Sequence, residues 1–374
     1  MLIKHDIIGT YKMNNLIYLD NIIFSLQSVG GISIVWYELL KRILEYNVFD
    51  VKILDYEEGG NNIFRNKLKI DEKCILNDYR RLPIILERYK KLNIKENHKF
   101  IFHSSYYRTC NNKNAINITT VHDFTYEYYR KGLGKFINCK QKHDSIRKSD
   151  YIICISQNTK KDLLYFLPDI KEEKIKVVYN GVTDDYFILK ESSKDWYFEK
   201  YPYALFVGSR VNYKNFELSV KAIAKTNLNL IVVGNKLTDT ELVFLKKYLS
   251  NRYIHLENIT NKKLNELYNS AFCLLYPSSY EGFGIPVIEA QKAGCPVIAY
   301  NASSIPEIIG DKSLLINQLS IPEILNKIEK LYNSESRNRI IHNGLINAAR
   351  FSWDKMFTDI ISIYNEAFSQ IKNK

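Results

Sequence analysis

Short runs rich in Val, Ile, Leu and Tyr recur along the chain at intervals long enough to hold one helix, and this alternation limits the possible folds more than any other feature. Leu16 to Leu19 leads through Ile22 to Phe24 to Gly30-Gly31; helically spaced apolar residues then run from Ile32 to Leu44, and Val51 to Leu54 reads as the next strand. Further strand-like runs lie at 99–103, 115–121, 151–155 and 175–179. Strands separated by helices predict a mainly parallel sheet covered on both faces. After Asn180-Gly181 comes a polar stretch, 183–202, and then a second series begins. Its strands are expected at 203–207, 228–233, 254–256, 272–276 and 296–300, with helices at 216–224, 240–249, 262–269 and from Pro286. Two sheets of this kind in tandem make two Rossmann-like α/β domains. Ligands in such sheets bind beyond the carboxyl ends of the strands, so the loops there carry the search for a site.

A chain of 374 residues suits two domains, and 46% hydrophobic with 25% charged residues excludes wholesale disorder, collagen and coiled coil. Six cysteines are scattered without a CxxC or a Cys/His cluster, which argues against a zinc site or a disulfide framework. No run reaches 18 apolar residues and the N-terminus lacks a secretory pattern, so the expectation is a cytoplasmic protein in a reducing compartment. The formal charge is +12, and residues 1–190 carry 31 basic against 23 acidic side chains. Such a balance suits an anionic partner of some kind. Nucleic acid is the weakest of these, since no basic-aromatic module accompanies the charge. A dinucleotide-dependent dehydrogenase is disfavoured because no GxGxxG follows the first strand.

The densest signal is Tyr276-Pro-Ser-Ser-Tyr-Glu-Gly-Phe-Gly-Ile-Pro-Val-Ile-Glu-Ala, a strand end, a glycine-bearing loop and a helix start. Pro286 suits a first helical turn, Gly282 and Gly284 permit close backbone approach, and the helix start offers N–H groups to a phosphate. Glu281 and Glu289 can accept hydrogen bonds from hydroxyls, so the element fits a polyhydroxylated ligand that also carries phosphate, such as a nucleotide sugar. A second loop, Gly208-Ser-Arg-Val-Asn-Tyr-Lys-Asn, follows a strand and precedes a helix, where Arg210 and Lys214 can meet a diphosphate without a metal. No Asp-x-Asp pair stands ready for a divalent ion there. His122 reads either as a site residue or as a core histidine, Asp123 either orients it or caps the next segment, and Ser156 reads as an N-cap with Thr159 as its rival.

With these residues on the page, the sequence resembles the family-four (group 1) nucleotide-sugar glycosyltransferases of the GT-B fold, a retaining group. The match runs through Gly30-Gly31, Val121-His122-Asp123, Ser156 with Lys160-Lys161-Asp162, Val178 to Val182, Gly208 to Asn215, and Glu281-Gly-Phe-Gly-x4-Glu289. The resemblance implies an α/β GT-B architecture of two Rossmann-like domains facing a central cleft. An acceptor-binding domain would occupy 1–190, a donor-binding domain 191–350, and a helix at 351–374 would pack back on the first. It implies catalytic roles for Glu281, His122, Arg210 and Lys214. Donor contacts would come from Gly30, Gly31, Arg210, Lys214, Gly282, Phe283, Gly284 and Glu289, with Ile259 near the base. Arg210 and Lys214 would take the place of a metal by electrostatic stabilisation of the leaving diphosphate, with no cofactor.

The implied partners are a nucleotide-sugar donor, with GDP-mannose favoured, and a glycan or polyprenol-linked acceptor of surface-polysaccharide synthesis. A soluble acceptor and a nucleotide-sugar epimerase are the alternatives. Two basic stretches, Arg80 to Lys99 and Lys131 to Lys148, are interleaved with apolar residues and suit either an ordinary solvated face or an anionic membrane surface at the inner face of the plasma membrane.

Overall fold

The computed structural model of the chain describes residues 15–76, 82–190 and 202–372, so Arg80, Arg81 and residues 191–201 of the polar stretch lie outside the described residues. Two compact units emerge, one formed by residues 1–181 with 353–374, the other by 182–352.

The first unit holds strands β1 (Leu16–Asp20), β2 (Asp50–Leu54), β3 (Ile75–Leu76), β4 (Phe100–Ser104), β5 (Ala115–Val121), β6 (Tyr151–Cys154) and β7 (Ile175–Val177). All pair in parallel, in the order β3-β2-β1-β4-β5-β6-β7. Central strands are buried along their length, as in β4, where every residue is covered. That is why they read as continuous apolar runs and not as alternating ones. Ile22 to Phe24, which carries no clear pattern in the sequence, forms a short helix, Ile22–Leu26.

The second unit repeats the plan with β8 (Tyr203–Val207), β9 (Asn229–Val233), β10 (Tyr253–Leu256), β11 (Cys273–Tyr276), β12 (Val297–Tyr300) and β13 (Leu315–Ile316), ordered β10-β9-β8-β11-β12-β13, again parallel. In both sheets the strand order turns back on itself beside the first strand: between β1 and β4, and between β8 and β11. This is the Rossmann order, and the reversal opens a crevice at the carboxyl ends of the two diverging strands.

The break between units falls at Gly181/Val182, nine residues ahead of the 190/191 position expected from sequence. Phe187 and Leu189 donate their backbone N–H groups to Asn265 Oδ1 (3.1 Å) and Asn269 Oδ1 (2.8 Å), which ties this segment to the second unit. The terminal helix Trp353–Lys372 belongs to the first unit. Trp353, Phe357, Ile360, Tyr364 and Phe368 recur at helical spacing and join Ile17, Leu39, Phe49 and Ile53 in one core cluster. Each fully buried side chain of this size contributes roughly 2 kcal/mol, so the helix is an integral layer of the first sheet. Its Tyr364 hydroxyl also meets Nδ1 of the buried His103 at 2.7 Å.

Candidate active site

In the second unit the chain reversal brings together the loops after β8 and β11. Asn215, in the left-handed region at φ 52°, donates its amide to the carbonyl of Pro277 (2.8 Å) and to Ser279 Oγ (2.9 Å), while Ser279 N–H donates to the carbonyl of Tyr213 (2.7 Å). These bonds lace the two loops and set Lys214 against Glu281. The two side chains form an ion pair, 15% and 12% exposed. Lys214 Nζ also lies 5.4 Å from the ring centroid of Tyr276 and 5.6 Å from that of Tyr213. A cation so enclosed by aromatic faces keeps its attraction for anions, because little water screens it.

The loop that carries Glu281 is fixed from behind by residues that the sequence analysis missed. Ser303 Oγ accepts from Glu281 N–H at 2.8 Å, and the fully buried Ser304 donates to the carbonyls of Glu281 and Phe283 at 2.9 and 2.8 Å. Both serines follow β12, the neighbour of β11, so only the strand order reveals their role. Gly284 caps the helix Ile285–Lys292 at φ 108°, where a Cβ would also meet Ile305 Cδ1 at 2.9 Å. The positive φ is what calls for glycine at this position, since the tip of the Ile305 side chain could shift. Pro286 sits in the first turn as expected.

Glu289, within that helix, is half-buried. Burial pushes its carboxyl up to about 7, against the opposing hydrogen bonds of Tyr268 and Tyr186; the Tyr268 hydroxyl donates to it at 3.1 Å. The two carboxylates of the motif are thus in different conditions: Glu281 is held by a cation, Glu289 by two phenols.

Arg210 is bonded to partners other than the Lys214 pair. Its Nε donates to Glu241 Oε1 (2.6 Å) and its Nη2 to the carbonyl of Lys236 (2.9 Å), while Glu241 completes a capping box with Thr238 at the start of the helix Asp239–Leu249. Neither Glu241 nor the capping box was singled out from sequence, although Thr-x-x-Glu before an apolar run is its signature. Nη1 of Arg210 is buried without a hydrogen-bond partner, an orphaned charged donor that an incoming acceptor would satisfy. It lies beside Gly234, whose added Cβ would fall 2.5 Å from the Gly208 carbonyl and 3.2 Å from Nη1. The loops after β8 and β9 therefore approach closely enough to require glycine. Ile259 is half-buried in the loop after β10, ahead of the N-cap Thr260.

The remaining candidates lie in the first unit. His122, just past β5, is buried, and burial with the nearby Lys142 ammonium holds its imidazole down at about 4 in spite of Asp123, so the ring is neutral near pH 7. Asp123 accepts from Thr125 N–H at 2.8 Å, an Asx turn just ahead of the helix Thr125–Tyr129, whose N-cap is Phe124. Behind both, the buried Lys142 donates to the Asp123 carbonyl (2.9 Å) and to Glu127 (2.7 Å). Gly30 is extended at φ 172° and precedes the helix Gly31–Tyr46; open space surrounds the position of a Cβ on Gly31. Ser156 accepts from Thr159 N–H at 3.0 Å and is the N-cap of its helix, with Thr159 in the supporting place. Among the described residues there is no cluster of three His, Cys, Asp or Glu able to hold a metal ion, and no helix long and apolar enough to cross a membrane.

Two parallel Rossmann-order sheets, with a lysine, a carboxylate and a glycine-capped helix start at one chain reversal, define a nucleotide-sugar glycosyltransferase of the GT-B class. The comparisons agree: the profile of the family described as glycosyl transferases group 1 matches residues 190–346, and that of glycosyltransferase family 4 matches 29–186. The chain belongs to this glycosyltransferase family. It is 24% identical to the O-antigen chain mannosyltransferase B of Escherichia coli, over 91% of this chain and 96% of that one. It is 30% identical to the O-antigen chain mannosyltransferase RfbU of Salmonella typhimurium, over 57% and 58%. In fold it is similar to a sucrose-phosphate synthase from Thermosynechococcus elongatus (TM-score 0.75, 16% identity, 96% of this chain and 100% of that). It also matches WaaG, a glycosyltransferase involved in lipopolysaccharide biosynthesis (TM-score 0.67, 14% identity, 93% and 99%).

Proposed function

We propose that the protein is a retaining, metal-independent glycosyltransferase that moves a hexose from a nucleotide sugar, with GDP-mannose as the donor, to a lipid-linked glycan acceptor in the assembly of a surface polysaccharide such as O-antigen. The observation that carries this is the Lys214–Glu281 pair laced into the crevice beside a glycine-capped helix start. The full-length relative named as an O-antigen mannosyltransferase supports the choice of sugar and pathway.

In this reading Lys214 and the orphaned Nη1 of Arg210 take the negative charge that grows on the leaving diphosphate. Backbone groups of Gly282, Phe283 and Gly284 bind phosphate and sugar oxygens, Glu281 holds the hydroxyls of the transferred sugar, and Glu289 accepts from the ribose. The acceptor hydroxyl adds to the anomeric carbon on the face that the diphosphate leaves, and its proton passes to the departing phosphate oxygen. His122, neutral near pH 7, serves as a hydrogen-bond partner and not as a fixed cation. Preorganised donors of this kind are worth about 100- to 1,000-fold in rate each.

The test is transfer from GDP-mannose, and from UDP-sugars in parallel, to a polyprenyl-diphosphate-linked glycan, with the released nucleoside diphosphate quantified. Glu281→Gln and Lys214→Ala are expected to lower the rate by at least 100-fold while melting cooperatively. Wild-type rates in both variants would remove the site assignment; nucleoside diphosphate released equally without acceptor, or an epimerised donor, would remove the transferase reading.

A further inference from the structure

Of the lysines and arginines in the stretch Lys131 to Lys148, Lys142 is the one that points inward, with 2% of its side chain exposed. Desolvating an ammonium is costly, so a lysine is buried only where it finds partners. Here there are three. The ammonium donates to Glu127 Oε2 at 2.7 Å and to the Asp123 carbonyl at 2.9 Å, and it lies 4.3 Å from the centroid of the Phe124 ring. The other oxygen of Glu127 meets His143 Nε2 at 3.0 Å.

An ion pair that only joined the helix Gly132–Lys148 to the helix Thr125–Tyr129 could be replaced by apolar residues of like volume, at no loss of stability. The bond to the Asp123 carbonyl is what that purpose leaves unexplained. The neighbours of Lys142 on the buried face of its helix are polar as well. Asn138, Lys142 and Ser145 fall on one side at helical spacing; Asn138 donates to the Tyr106 hydroxyl at 3.2 Å, and Ser145 Oγ meets Thr119 Oγ1 of β5 at 2.9 Å. Directional bonds thus fix the register of the helix along β5, where apolar contact alone would let it slide. Lys142 makes the last of them, just past the carboxyl end of the strand.

His122 projects to the other side of the sheet. Successive strand residues alternate faces. Thr119 Oγ1 and the Asp123 carbonyl meet the helix, whereas Thr120 and His122 line a cavity together with Trp36, Met356 and Ile360. On that side Thr120 Oγ1 meets Nε2 of the buried His103 at 2.9 Å, and the Tyr364 hydroxyl meets its Nδ1. The charges acting on the His122 ring are therefore Asp123 next to it and Lys142 behind it, since burial holds His103 at about 3 and so uncharged near pH 7.

We propose that Lys142 is a positioning residue for His122: it grips the backbone of the His122–Asp123 turn from the helix side of β5 and so fixes the depth at which the imidazole is offered to the sugar undergoing transfer. The inference deepens the proposed function and rests on it for the role of His122. Lys142 itself touches neither donor nor acceptor and acts through the turn.

The experiment replaces the pair by apolar residues of similar size, Lys142→Met/Glu127→Leu, because removing one partner alone strands a buried charge. Melting is expected to stay cooperative, and nucleoside diphosphate affinity by calorimetry to stay unchanged, since the proposed nucleotide contacts lie in the second unit. The value of kcat should fall by about 10- to 100-fold with the donor KM unaltered, the cost of a misplaced group. Ring-labelled histidine NMR gives a readout that needs no turnover, the His122 signal being identified by its loss in His122→Asn. In the wild type this ring should stay unprotonated from about pH 8 down to 5. In the variant the Lys142 charge that opposes protonation is gone, so the midpoint rises and the acid limb of kcat rises with it. Lys142→Arg, which keeps the charge and a donor, should recover most of kcat and the low midpoint, and Lys140→Met, on the exposed side of the same helix, should change neither. A cooperatively melting double variant with wild-type kcat overturns the proposal, as does one whose His122 midpoint is unmoved, or an equal loss in Lys140→Met. If the apolar pair prevents folding, Lys142→Met/Glu127→Gln carries the same two readouts. A wild-type chain that transfers no sugar removes the proposed function, and the His122 titration then decides this inference by itself.

Discussion

Arg210 is held by structural bonds on one side of its guanidinium and keeps one donor to spare. Its Nε is bonded to Glu241, which in turn caps a helix through Thr238, and its Nη1 is left without a partner. The carboxylate competes with any phosphate for the same guanidinium, and the Arg210 cation in turn helps hold Glu241 below the usual carboxylate range against desolvation. Glu241→Gln keeps the acceptor oxygen that caps the helix but removes the competing charge. Nucleoside diphosphate is therefore expected to bind roughly threefold to fivefold more tightly to this variant by calorimetry, the gain from freeing one partly exposed ion pair. Unchanged or weaker binding would detach Arg210 from the diphosphate. Lys214 differs, because its partner Glu281 is itself a proposed ligand for the sugar, so loss of either residue changes both charge and shape in the crevice.

At the scale of elements, the strands of both units were legible because buried parallel strands of four to seven residues write themselves as β-branched runs, and Tyr203–Val207 lies where the pattern put it. β3 and β13 were not, since two residues carry no periodicity. Glu281, Lys214 and Glu289 were visible as motifs, and the family resemblance assigned them to one donor site, but the direct pairing of Lys214 with Glu281 was not legible. It follows from β8 and β11 being sheet neighbours, a long-range fact that no local pattern states. For the same reason Ser303 and Ser304, on the loop after β12, escaped notice although they hold the carrying loop of Glu281. Replacing Ser304 by Ala removes the one hydroxyl proton shared between the carbonyls of Glu281 and Phe283, a cost of about 1 to 3 kcal/mol. For a unit of this size the melting point is expected to fall by about 2 to 4 °C per kcal/mol. Transfer should fall further than nucleotide affinity does, because the loosened loop misplaces Glu281, the carboxylate proposed to contact the sugar. A variant with wild-type melting and turnover would show that the loop is held without it.

On the scale of the whole molecule, the two units carry desolvated titratable groups of opposite sign, buried histidines in one and the half-buried Glu289 in the other, and this predicts opposite responses to pH. In the first, desolvation holds His122 at about 4 and His103 at about 3, below the usual imidazole value of about 6.5. Unfolded histidines take up protons below about pH 6.5 while these two do not, so the stability they confer is complete above that pH and is lost as pH falls towards 4. In the second, Glu289 sits at about 7, above the ordinary carboxyl value. There the folded form holds the proton that the unfolded chain has already released, so the contribution is complete below about pH 4.5 and is lost as pH rises through 7. Between pH 5 and 7 these terms pull the units in different directions. The carboxylates held low, Glu127, Glu241 and Asp311, lose their stabilisation only below this window. Amide exchange on the intact chain should accordingly show β4 and β5 losing protection when pH is lowered from 7 to 5, after correction for intrinsic rates, while helix Ile285–Lys292 gains it. Glu289→Gln should abolish the gain in the helix and leave the loss in β4 and β5 unchanged. A parallel response of both units, unaltered by that substitution, would show that Glu289 is ionised in the folded protein at neutral pH.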